Sequence, residues 1–201
     1  MIDLFFPCVG FVSGSIPCSY LAARLVSGKD VRKEGSGNVG ATNVFRVAGR
    51  AAGITAAAGD VFKSLVPVLA ARLAGSSSLL LALTAASVIA GHCYSPFLRF
   101  RGGKGVASTV AVSLVLCWPA ALAFGVVWLG VFFVGGFVSL ASIIASFALP
   151  LGSALAQADR STTIFFSLAS LFVLFKHREN VRRLRDGTES SMRKQGGPSQ
   201  G

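Results

Sequence analysis

Between Gly105 and Ala158 the chain carries no Asp, Glu, Lys or Arg, a gap of 54 residues. Charged residues make up only 13% of the sequence, against about 25% in an ordinary soluble domain, and 53% is apolar. Residues 4–23, 51–71, 73–98 and 161–175 add further apolar spans near the ~17–25 residues that cross a bilayer. The chain therefore reads as an all-α integral membrane protein. No basic segment precedes the first apolar run and no small-residue cleavage pattern interrupts it, so that run reads as a retained helix rather than a signal peptide.

A net charge of +11 would suit nucleic acid, but the placement of the 19 Lys and Arg residues follows the positive-inside rule instead, and no nucleic acid partner is expected. Lys29, Arg32, Lys33, Arg46 and Arg50 form one cluster; Arg99, Arg101 and Lys104 form a second. Lys176, Arg178, Arg182, Arg183, Arg185, Arg193 and Lys194 form a third. These mark the cytoplasmic side, whereas the connections at 72–78 and 157–161 hold only Arg72 and Arg160 and mark the outer side. The ends of the uncharged stretch then face opposite sides, so it crosses an odd number of times. Three crossings of about 18 residues, broken at Trp118-Pro119 and Gly135-Gly136, each span ~27 Å at 1.5 Å per residue. The expectation is seven transmembrane helices, with the N-terminus outside and the C-terminus cytoplasmic. The spans 105–117 and 161–175 are short, which calls for a thinned rim or re-entrant helices. Residues 1–186 form a single membrane-embedded domain and 187–201 a disordered polar tail. Cys8, Cys18, Cys93 and Cys117 show no CxxC pair and no histidine at ligand spacing, so neither disulfide nor metal is expected.

Three segments on the basic side carry chemistry. The run from Gly35 to Asn43 can converge backbone N–H groups on an anion, with Ser36, Asn38, Thr42 and Asn43 adding side-chain donors. Its outline, Gly35-x4-Gly40-Ala41-Thr42, follows a P-loop, but Ala41 replaces the lysine and no strand precedes it, which argues against nucleotide hydrolysis. A flexible turn would show the same glycines; the four polar side chains favour a phosphate cradle. In the second segment Gly102-Gly103-Lys104-Gly105 opens a helix, so orphan N–H groups, the helix dipole and an ammonium can address one anion, with His92 nearby at the end of the preceding helix. In the third, His177 and Asn180 share a helical face with Leu184, although a basic amphipathic helix on anionic headgroups would explain the arginines equally. Asp60 and Lys63 interrupt the second apolar span three residues apart: either a structural ion pair, or a Lys63 that reaches a phosphate while Asp60 orients it.

Over about residues 10–189 the chain resembles the bacterial acyl-phosphate-dependent glycerol-3-phosphate acyltransferases. The resemblance rests on Gly14-Ser15-Ile16-Pro17, the run from Arg32 to Asn43, Gly91-His92, Gly102-Gly103-Lys104-Gly105-Val106-Ala107, and His177-Arg178-Glu179-Asn180 with Arg183-Leu184. It implies a seven-helix enzyme of the bacterial inner membrane with its site on the cytoplasmic face. The implied reaction moves a fatty acyl group from acyl phosphate to the sn-1 hydroxyl of glycerol 3-phosphate, giving lysophosphatidate and phosphate, the first step of phospholipid synthesis. No cofactor, coenzyme A or acyl carrier protein is implied. Neither histidine opens an H-x4-D motif, since His92 leads to Phe97 and His177 to Arg182.

Carried onto this chain, the resemblance implies catalytic roles for Ser36, Lys104, His177 and Asn180. It implies substrate binding by Gly37, Asn38, Gly40, Thr42, Asn43, Arg46, Lys63, His92, Gly102 and Gly103. Two departures stand out: Ser64 follows Lys63 where the family usually has glycine, and Ser95 stands where a bulky apolar residue is commoner. An acyl phosphate is already activated, so positioning and oxyanion stabilisation suffice without a protein nucleophile. The hydroxyl proton could pass to His177, His92, Asp60 or the phosphate of glycerol 3-phosphate itself. The alternatives from other classes are a secondary transporter for an organic phosphate and a lipid-binding scaffold. A transporter places its site near the bilayer midplane, whereas these glycines and basic residues share one face; a scaffold explains the charges but not the glycines.

Overall fold

The first apolar span does not run unbroken. In the computed structural model, which describes residues 2–192, helix α1 (Ile2–Ser15) stops because Ile16 precedes a proline, and the residue before proline avoids the helical region. Arg193, Lys194 and the rest of the expected tail to residue 201 lie outside the described residues. Helix α2 (Cys18–Ser27) resumes after Pro17 and ends on Gly28, left-handed at φ 70°, whose N–H returns to the Arg24 carbonyl.

Helix α3 (Ala41–Leu73) begins ten residues before the expected span, so the last residues of the glycine run form its first turn. It bends at Gly49, where φ is 86° and ψ 178°. Helix α4 (Ser78–Cys93) is capped by Ser77, which accepts from the Leu80 N–H, and a 3-10 turn at Pro96–Leu98 leads to α5 (Val106–Leu116). Helices α1 and α4 meet at Gly14 and Gly91, where a Cβ on either would overlap the opposite backbone at Val88 or Phe11; without side chains the two close directly. Val31 and Val39, from the loop between α2 and α3, are buried with Ala22, Ala23, Val44, Ala52 and Leu98. Burying each valine is worth roughly 1.5–3 kcal/mol, which pins that loop from both ends.

The chain divides into two compact units, Met1–Trp118 and Pro119–Gly201. The second holds the rest of α6 (Trp118–Gly135), then α7 (Val138–Ser146), α8 (Ala148–Leu155), α9 (Arg160–Lys176) and α10 (Arg178–Arg185). Asp159 caps α9, accepting from the Thr162 N–H at 2.9 Å. The Trp128 indole donates to Ser142 Oγ, tying α6 to α7. The segment beyond α10, expected to belong to a disordered tail, is joined to this unit as far as residue 192: the Met192 N–H donates to the Gly136 carbonyl, and Glu189 accepts from Ser139 Oγ.

All described secondary structure is helical, and five segments are long and apolar enough to cross a membrane: Leu4–Ser27, Ala41–Leu73, Ser78–Leu98, Trp118–Gly135 and Val138–Leu155. The breaks expected at Trp118-Pro119 and Gly135-Gly136 are helix ends. Helix α5, with 11 residues, rises only ~17 Å, short of the ~30 Å of hydrocarbon. It fills the short span expected at 105–117: the chain is still irregular at Gly105 and leaves the helix again at Cys117, ahead of Pro119.

Candidate active site

The cleft of the first unit forms where α1 breaks. With no helical turn following Ser15, the Ile16 carbonyl accepts from Lys63 Nζ at 2.7 Å. Lys63 Nζ also lies 2.8 Å from Asp60 Oδ1, and Asp60 Oδ2 accepts from Ser19 Oγ at 2.6 Å. His92 completes the cluster, its Nδ1 3.7 Å from Asp60 Oδ1. Asp60 is 1% exposed, Lys63 7% and His92 6%, so the Asp60 and Lys63 charges are taken from solvent and compensate each other. Val39 of the first glycine loop and Gly103 of the second line the same cleft.

The first glycine loop is organised by Asn43. Its Oδ1 accepts the Ser36 N–H at 2.9 Å, and its Nδ2 donates to the carbonyls of Val31, Glu34 and Asn38 at 3.0, 3.2 and 3.0 Å. The expected phosphate donor at this position is thus buried and engaged with the loop's own backbone. Ser36 and Gly37 stand exposed at the tip; Asn38 and Gly40 are half-buried below them. Thr42 and Arg46 lie half-buried on the first turns of α3, whose N-terminus carries the positive end of the helix dipole. At the base of the loop Arg32 grips Asp30 at two points, Nε to Oδ1 at 2.9 Å and Nη2 to Oδ2 at 2.7 Å. Those bonds hold the Asp30 carboxyl far below the usual carboxylate range.

The second loop is a strap along the end of α4. The Gly102 N–H donates to the Cys93 carbonyl and the Gly103 N–H to the His92 carbonyl, both at 3.2 Å. These two N–H groups, expected to face an anion, are engaged within the strap. The helix start lies beyond them, with Gly105 as N-cap at φ 84° and Lys104 half-buried beside it. Gly103 presses on the His92 ring so closely that a Cβ there would overlap Nε2.

The second unit carries the third segment. His177 is buried between α9 and α10, its Nδ1 2.8 Å from the Val173 carbonyl. A carbonyl only accepts, so Nδ1 carries the hydrogen and Nε2 is the ring nitrogen left for other partners. Asn180, one turn into α10, donates from Nδ2 to Glu189 Oε1 at 2.7 Å, while Arg183 Nε donates to Oε2 at 2.7 Å. Burial alone would push the Glu189 carboxyl up, but the bonds from Ser139, Arg183 and Asn180 outweigh it and hold it below the ordinary glutamate value. Among the described residues no group of three or more His, Cys, Asp and Glu is arranged to hold a metal.

The structure brings Lys63 and His92 together around Asp60, sets Gly103 on His92, and places His177 and Asn180 at one helix start. Three partners were missed from the sequence: Ser19, the Ile16 carbonyl and Glu189. The first two could have been sought from Ile16-Pro17, which must leave a carbonyl without its helical partner. Glu189 gave no signal within a polar, Ser-rich segment.

The family model for glycerol-3-phosphate acyltransferase matches residues 4–187 of this chain. The chain belongs to the glycerol-3-phosphate acyltransferase family. Its relatives include the glycerol-3-phosphate acyltransferase of Geobacter sulfurreducens, 42% identical over 94% of this chain and 96% of that protein. Glycerol-3-phosphate acyltransferase 2 of Thermotoga maritima is 40% identical over 92% of this chain and 93% of that one. Among solved structures, PlsY, an integral membrane glycerol 3-phosphate acyltransferase, superposes in its glycerol 3-phosphate form with a TM-score of 0.91 at 35% identity, covering 96% of both chains. Its lysophosphatidic acid form superposes at 0.88 with 34% identity over 95% of both. The chain is thus an integral membrane acyltransferase of lipid synthesis rather than a transporter, and its glycine loops and buried ions belong to an acyltransferase scaffold.

Proposed function

We propose that the protein transfers a fatty acyl group from acyl phosphate to the sn-1 hydroxyl of glycerol 3-phosphate, releasing lysophosphatidate and phosphate. The observation that carries this reading is the likeness, over nearly all of both chains, to a protein seen with glycerol 3-phosphate and with lysophosphatidic acid, which are the acceptor and product of one acyl transfer. We propose further that the chain crosses the bacterial inner membrane seven times with its N-terminus outside, and that the acyl-transfer site opens on the cytoplasmic face where the basic clusters lie.

In this reading the hydroxyl oxygen of glycerol 3-phosphate attacks the acyl carbon, the carbon–oxygen bond to phosphate breaks, and phosphate leaves with the electron pair. Ser36, Gly37, Asn38, Gly40 and Thr42 form one phosphate cradle at the N-terminus of α3. Lys104 forms another at the start of α5. Asn43 and Gly103 serve by shaping these loops, and Arg46, His177 and Asn180 bind glycerol 3-phosphate. The hydroxyl proton passes to the substrate's own phosphate. Incubating purified protein with palmitoyl phosphate and glycerol 3-phosphate should release phosphate and form lysophosphatidate together; folded protein that does neither overturns the assignment. A loss of ~10³-fold in kcat at unchanged KM in His177→Gln would reassign the proton to that imidazole.

A further inference from the structure

The Asp60 carboxylate binds Lys63 and Ser19 and faces the His92 ring at 3.7 Å, three groups from three different places in the chain. Lys63 is on its own helix and is anchored in turn on the Ile16 carbonyl at the break between α1 and α2. Ser19 is on the first turn of α2. His92 is on the last turn of α4, where its carbonyl takes the Gly103 N–H and its ring backs onto Gly103 itself. The carboxylate therefore lies between the end of α1 and the strap that leads into Lys104 and α5. A purely structural ion pair would need Lys63 only. It would not require the carboxylate to face Ser19 and an imidazole that supports a substrate loop.

We propose that Asp60 is a positioning residue for acyl transfer: through His92 it fixes the Gly102–Lys104 strap, and through Lys63 and Ser19 it fixes the α1–α2 break against it. This rests on the acyl-phosphate reading above, in that the strap is taken to address a substrate phosphate. In this role the carboxylate acts through His92, Lys63 and Ser19 rather than on the substrate itself. It sets the height at which Lys104 and the α5 N-terminus stand.

The test uses full-length protein in detergent with four variants, Asp60→Asn, the charge-balanced double variant Asp60→Asn/Lys63→Met, His92→Asn, and the combination Asp60→Asn/His92→Asn. Melting temperature, kcat and KM for both palmitoyl phosphate and glycerol 3-phosphate are measured, together with the melting shift each substrate induces. Asp60→Asn is expected to raise KM for at least one substrate about tenfold or more and to shrink that substrate's melting shift. The double variant should recover the melting temperature while keeping the raised KM. His92→Asn should raise the same KM, and combining it with Asp60→Asn should add little, because both act through one strap. Recovery of wild-type KM in the double variant, or an unchanged KM in a folded Asp60→Asn protein, overturns the proposal and leaves a structural ion pair. If Asp60→Asn alone does not fold, the double variant and His92→Asn decide. Should the wild type show no turnover, the acyl-phosphate reading fails; a substrate-induced melting shift lost in the double variant then still upholds the positioning role, and one retained overturns it.

Discussion

Replacing Glu189 with glutamine removes a negative charge that three side chains address. Oε1 accepts from Ser139 Oγ and Asn180 Nδ2, and Oε2 from Arg183 Nε, all at 2.7 Å, with the carboxylate side chain only 4% exposed. A glutamine amide offers one acceptor and one donor in the same place. Turned one way it meets Ser139 and Asn180 but points its NH2 at Arg183; turned the other it meets two donors with a third. A hydrogen bond to a charged group contributes about 1.5–3 kcal/mol, and Arg183 is 36% exposed, so its share is discounted; the expected loss is about 2–3 kcal/mol. For a chain of this length each kcal/mol moves Tm by ~2–4 °C, so Glu189→Gln should melt ~5–10 °C lower in detergent. A chain ending at Thr188 should fall at least as far, whereas one ending after Met192 should melt with the full-length protein. Thermal unfolding of the four proteins, read beside turnover, makes the comparison. A chain ending at Thr188 that melts and turns over like the full-length protein would show that this carboxylate does not hold α10 to α7, and the reasoning would be refuted.

The depressed Glu189 carboxyl also sets an acid limit. A carboxylate whose folded pKa lies below its unfolded one contributes stability above the unfolded value and loses it as pH falls through the folded value, so wild-type melting should drop below about pH 4 more steeply than that of Glu189→Gln. Lys63→Met leaves the Asp60 carboxylate buried without its cation and should cost about 3–5 kcal/mol, read as a lower Tm; melting with the wild type would mean that the pair contributes nothing. In Gly103→Ala the new methyl meets the His92 ring, so either the strap or the ring must move. A KM raised about tenfold or more with a nearly unchanged Tm is expected, and wild-type kinetics would place the strap away from substrate. Ser36 is exposed at its loop tip, so Ser36→Ala should leave Tm within about 2 °C while turnover falls by ~10²-fold; full activity would remove it from the site.

Much of the scaffold could be read one residue at a time. Hydropathy located the apolar spans, and Trp118-Pro119 and Gly135-Gly136 marked helix ends because proline and glycine act through their own backbone rather than through neighbours. The glycine run was legible as a loop, but not as the opening of a helix, since the next span was expected from residue 51 and α3 begins at Ala41. The loop's use of Asn43 was not legible either: an asparagine beside glycines has the same sequence whether its amide faces a ligand or four backbone groups of its own loop. Gly102 and Gly103 show the same limit, since an N–H reads as open until the neighbouring carbonyls of His92 and Cys93 are found beside it. The shortness of α5 was legible, since the span 105–117 is bounded by Lys104 on one side and Trp118-Pro119 on the other.

From composition, charge placement and local breaks alone followed a membrane-embedded helical chain with two glycine loops, the second opening a helix, and a basic segment after the last apolar span. Those properties depend on each residue's transfer from water and on its own backbone preferences. Which polar atoms meet was settled by helix packing: Lys63 reaches a carbonyl 47 residues away, Ser19 reaches a carboxylate 41 away, and Ser139 reaches Glu189 across 50. A buried polar atom takes the partner that an adjacent helix presents, and no pattern along the chain states which helix that will be.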